Sequence, residues 1–174
     1  IRPCADYASW TDYAGAPYRV QPTATHPVLL IRHEGVDFCG VAGQPVIASA
    51  AGEVIRVVSD DPLRGGSVTI ATAIRAARFT NDPDYRRPIF VEHLHIRPVD
   101  GLAPGDRVAA GDLIGRLNPP GRPEIGPRAH VHLEVGTTPF TYDSHVDPNR
   151  FWQKGPGVVT CFDPTDPPAP DEMV

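Results

Sequence analysis

The stretch "GPRAHVHLEV", residues 126–135, decides how this chain folds. Ala129, Val131, Leu133 and Val135 alternate with His130, His132 and Glu134. A period of two places successive side chains on opposite faces of an extended strand. The apolar set therefore reads as one face of a core, and the two histidines and the glutamate share the other. Similar short runs recur along the chain: VLLIRHEGVDF (28–38), PVIASAAGEVIRVVS (45–59), GSVTIATAI (66–74), PIFVEHLHI (88–96) and DRVAAGDLIGRL (106–117). Each is bounded by Gly, Pro, Asp or Asn. With 21 prolines and 16 glycines in 174 residues, breaks come too often for long helices. The pattern predicts an antiparallel all-β domain.

A faint internal repeat supports a duplicated sheet motif. Gly43-Gln-Pro-Val46-Ile-Ala48 resembles Gly105-Asp-Arg-Val108-Ala-Ala110, and a further glycine follows each, at Gly52 and Gly111. Both units read as a turn entering a strand. Residues 1–27 show little periodicity, and Tyr7, Trp10, Tyr13 and Tyr18 suggest a wrapping arm. Residues 71–88 interrupt two strand-like runs and read as a long hairpin or lid loop. Residues 151–174 are expected to be a Pro-rich, partly disordered extension.

The bulk properties exclude several classes. A formal net charge of −5, with no run of like charges, argues against a nucleic-acid protein built on phosphate contacts. No stretch approaches the roughly 20 apolar residues of a membrane span. A single lysine, Lys154, argues against Schiff-base chemistry. The chain starts without Met and is expected to be a processed product. Of the three cysteines, Cys4 and Cys161 lie outside the patterned region and suggest a bridge between the ends in an oxidising compartment, whereas Cys39 reads as a small buried residue.

Five of the seven histidines fall in three of the patterned runs. His33 and Asp37 form H-x-x-x-D, two zinc-ligand types. On a plain strand they share a face but stand about 13 Å apart. Gly35 between them would permit a bulge or bend that closes the gap. His130 and His132 stand about 7 Å apart on one face, close enough to lean toward a common centre. His93 and His95 in "VEHLHIRP" alternate in the same way. His26 and His145 read as ordinary polar residues. The helical H-E-x-x-H signature is absent.

In order, "HEGVDFCGVAGQPVIASAAGEV", "VEHL", "GDRVAAGDLIGRL", "HVHLEV" and "VDPNRFW" resemble the lysostaphin-type zinc endopeptidases of bacterial cell walls. The resemblance runs from about residue 28 to 150. It implies an all-β domain over 28–150, an antiparallel sheet groove of the barrel-sandwich hybrid type, holding one Zn2+. Carried over by position, it implies His33, Asp37 and His132 as zinc ligands, with His130 and His93 as catalytic histidines. The second histidine in "EHLH" leaves His95 open as the alternative to His93. Three protein ligands leave one zinc position open for water, whose pKa the metal lowers. No separate glutamate base is then needed, and Glu134 is expected to have a structural or supporting role. The implied function is hydrolysis of peptidoglycan stem peptides or cross-bridges by a monomer in the periplasm or outside the cell. The alternative is a zinc-binding but catalytically silent cell-wall module, its groove blocked by the N-terminal arm or the 71–88 loop.

Overall fold

A computed structural model describes residues 17–19, 30–32, 35–75 and 88–139. These form β1 (Pro17–Arg19), β2 (Leu30–Arg32), β3 (Gly35–Cys39), β4 (Pro45–Ile47), β5 (Gly52–Val58), β6 (Gly66–Arg75), β7 (Pro88–Pro98), β8 (Arg107–Val108), β9 (Leu113–Leu117) and β10 (His130–Gly136). Every pairing is antiparallel. No helix occurs among the described residues, so none is long and apolar enough to cross a membrane. The all-β expectation is what the structure has. Of the wrapping arm, the lid loop and the C-terminal extension, only β1 and the strand ends at Ala71–Arg75 and Pro88 lie within the described residues.

The main sheet runs β3-β10-β7-β6-β5-β8, and β4 and β9 pair with each other beside it. Alternation builds the core as the sequence predicted. Val131, Leu133 and Val135 of β10 are buried with Val36 and Phe38 of β3, Val68 and Ile70 of β6, and Val91 of β7. Val46 of β4, Ala48 just after it, and Ile114 and Leu117 of β9 close the other side of that core. Burying side chains of this size contributes about 1.5–3 kcal/mol each. An apolar cavity of about 190 Å3 remains between these layers, lined in part by Phe38, Val46, Leu117, Val131 and His93.

The faint repeat has a backbone cause. Gly43 and Gly105 take positive φ values of 81° and 99°, each just ahead of a short strand, β4 and β8. Only glycine adopts that region without cost. Gly111, at 95°, repeats the device six residues after Gly105. There Asp106 and Asp112 each accept a hydrogen bond from the N–H three residues back, Ala103 and Ala109.

One cysteine expectation is corrected. Cys39 is disulfide-bonded rather than a buried thiol. Only Cys4 and Cys161 can supply its partner, and both lie outside the described residues. The expected Cys4–Cys161 bridge lies outside the described residues.

Candidate metal centre

The polar face of β10 lies between β3 and β7. Asp37 is directly opposite His132, and Cys39 is opposite His130. Within Gly35–Cys39 the register with β10 runs without a break. Gly35 therefore serves a purpose other than a bulge inside β3. A methyl group on it would lie 2.5 Å from both His132 Nε2 and the Leu133 carbonyl oxygen. The bare glycine leaves the space that the imidazole fills. Gly35→Ala is expected to displace the ring and cost about 1–3 kcal/mol, read as a lowered urea midpoint together with weaker metal uptake. An unchanged midpoint would refute the steric account.

His132 Nδ1–H donates to Asp37 Oδ1 at 2.7 Å, and its Nε2 faces Glu134 Oε1 at 3.2 Å. Burial alone would push this imidazole down, but the hydrogen bonds to Asp37 and Glu134 and their charges raise it to about 10. The ring is a buried cation between two carboxylates. His130 Nε2 stands 3.7 Å from the same Asp37 oxygen. Its Nδ1 lies 2.9 Å from the Arg128 carbonyl. A carbonyl only accepts, so Nδ1 carries a proton.

β7 supplies a third imidazole, through an irregularity. Leu94 pairs with His132 and with Ser67, whereas Ile96 pairs with Gly66 and Leu117. His95 is the extra residue between them, a bulge with φ of 64°. It is the one non-glycine residue with positive φ among the described residues. Histidine tolerates this region better than most side chains, and such strain gathers at functional sites. The bulge turns the His95 ring to the polar face, with its centroid 4.7 Å from His130 and 5.8 Å from His132. Its Nδ1–H donates to the Arg64 carbonyl at 2.8 Å. Burial first, then the neighbouring His130 and His132, lower it to about 3, so it stays neutral.

His93 does not share a face with His95, as simple alternation suggests it should. It instead pairs with Leu133 on the core side and lines the apolar cavity. There Nε2 accepts the Ser49 N–H at 3.2 Å. Burial lowers its pKa to about 4. Simple alternation fails here because the bulge inserts one residue between the two histidines' faces.

Of the expected zinc ligands, the structure brings Asp37 and His132 together, while His33 lies outside the described residues. Among the described residues no three His, Cys, Asp or Glu side chains form a metal site by themselves. Asp37 and His132 nevertheless suit zinc. Carboxylate oxygen and imidazole nitrogen are zinc donors, and the position already stabilises a buried positive charge.

The model of peptidase family M23 matches residues 31–148. Uncharacterized proteins of Mycobacterium tuberculosis and Mycobacterium bovis are each 34% identical over 121 residues, 68% of this chain. The chain spans 24% of the length of these curated relatives. In fold it is similar to the catalytic domain of the antimicrobial peptidase lysostaphin from Staphylococcus simulans, with a TM-score of 0.51 at 20% identity over 79% of this chain and 90% of that one. LytU gives 0.52 at 23% identity over 83% of each chain. A zinc-containing peptidase from Vibrio cholerae gives 0.50 at 20% identity over 84% of this chain and 37% of that one. The family match takes in both H-x-x-x-D and H-x-H and well over half of the residues, and on that ground the chain belongs to peptidase family M23.

Proposed function

We propose that this chain is a zinc peptidase that hydrolyses peptide bonds of bacterial peptidoglycan, in stem peptides or cross-bridges, outside the cytoplasm. The observation that carries this reading is the convergence of His130 and His132 on Asp37, with the His95 ring packed against both histidines, on one face of a family M23 sheet. The disulfide at Cys39 supports an oxidising compartment.

In this reading His33, Asp37 and His132 hold the metal. When bound, zinc polarises the scissile carbonyl and supplies a nucleophile at neutral pH. The chain's own histidines move the protons. His130 and His95 are each fixed through Nδ1–H by a backbone carbonyl, so Nε2 is the basic atom. One of them accepts a proton from the attacking water at Nε2 and then gives that same proton to the leaving amine. His95 takes the role that the sequence assigned to His93. Glu134 orients His132 through Nε2.

The test is metal content followed by wall digestion. The purified chain is expected to carry about one zinc, to release new amino termini from purified cell walls, and to lose that activity on chelation. No zinc after reconstitution would overturn the reading. The burial of Asp37, His95, His130 and His132, none more than 7% exposed, favours a second reading, the catalytically silent wall module. A zinc-loaded chain inert on walls would select it.

A further inference from the structure

Beyond the four-residue cluster, the polar face continues one step toward the end of β10. Three side chains stand directly opposite one another there: Glu134 on β10, Glu92 on β7 and Thr69 on β6. Cross-strand neighbours of this kind are about 5 Å apart. Ser67 Oγ donates to Glu92 Oε1 at 2.8 Å. Burial, then the charge of Glu134, raises the pKa of Glu92, against smaller opposing effects of Ser67, Arg56 and Arg64. Two carboxylates would ordinarily avoid such a position. Thr69 is only 1% exposed, and its hydroxyl has no hydrogen-bond partner. An orphaned buried hydroxyl costs about 1–3 kcal/mol.

These three side chains line one small recess with Phe90 and Pro139. Its volume is about 10 Å3, room for one water-sized group. An ammonium is that size and carries three donors and no acceptor. The row offers two carboxylates and one hydroxyl oxygen. A guanidinium is a broad planar fork and does not match a point recess. Phe90, opposite the bare Gly136, and Pro139 supply apolar surface along which a methylene stem can pack, beside the Thr138 side chain. Glu134 is two residues from His132, about 7 Å along the strand.

We infer that Glu92, Glu134 and Thr69 form a subsite for the side-chain ammonium of a diamino residue beside the scissile bond. This rests on the reading that the polar face takes a peptide substrate. It makes Glu92 a specificity-determining residue, with Glu134 shared between the ammonium and His132.

The test measures binding, not turnover. Titration calorimetry compares acetyl-Ala-Lys-Ala-amide with the same peptide acetylated on the lysine side chain, against the chain as purified. Acetylation is expected to weaken binding at least about tenfold. In Glu92→Gln and in Thr69→Val the two peptides are expected to bind within about twofold of each other. Thr69→Val keeps the shape and removes an unpartnered hydroxyl, so its thermal midpoint should not fall. It carries the test if Glu92→Gln does not fold. Equal binding, no binding, or discrimination that survives Thr69→Val overturns the inference. A third peptide, with a free amino terminus and an acetylated lysine, reads an α-ammonium. Preference for it overturns the side-chain assignment. Zinc content and wall digestion are scored separately. Amine discrimination without either keeps the subsite and defeats the peptidase reading. Digestion without discrimination does the reverse.

Discussion

His95→Ala is expected to lower wall-peptide hydrolysis by about 10²–10⁴-fold, the usual contribution of a positioned acid or base, while zinc stays near one per chain. His95 reaches the site only through its bulge, and its ring touches His130 and His132 rather than donating to Asp37. His93→Ala should behave in the opposite way. That ring is buried on the core side, so its loss enlarges the 190 Å3 cavity and costs about 2–5 kcal/mol of stability. The folded fraction should keep its turnover number. Paired kcat and thermal-melt measurements separate the two. An active His95→Ala enzyme beside an inactive but stable His93→Ala enzyme would reverse the assignment.

Asp37→Asn is the second large effect. One carboxylate oxygen serves both His132 at 2.7 Å and His130 at 3.7 Å. The amide keeps the shape but removes the charge. Disturbing a group that merely orients a metal ligand costs about 10–100-fold in affinity, so removing a ligand's charge should cost more. Zinc competition against a chelator reads this. The metal-free protein should also lose about 3–5 kcal/mol, because a buried imidazolium loses one of its two carboxylates. Asp37→Asn that still holds one zinc per chain at wild-type affinity would remove Asp37 from the ligand set.

Neither effect could be ranked by reading residues in order. Alternation in β10 gave the face of His130, His132 and Glu134 because nothing interrupts that strand, and the same rule placed Val131, Leu133 and Val135 in the core. Applied to β7 it failed at His95. The bulge lies where β7 stops pairing with β10 and begins pairing with β9, at Leu94 and Ile96. Such a change of partner is a long-range event with no local signature beyond the doubled histidine. Only the packed His132 ring and the Leu133 carbonyl show what the missing side chain of Gly35 makes room for.

The sequence by itself determined the fold class, the core faces and the two histidine-bearing strands β7 and β10, because hydrophobic period and turn chemistry are local properties. It also carried, through Asp37 and the H-x-H pair, two of the proposed metal's donors. Tertiary structure alone decided which histidine of "EHLH" faces His130, that Cys39 is bridged, and that Glu92 and Thr69 meet Glu134 across three strands. Those outcomes depend on register, bulges and partners distant in the chain. A one-residue slip exchanges the faces of a strand, and no local pattern specifies where that slip occurs.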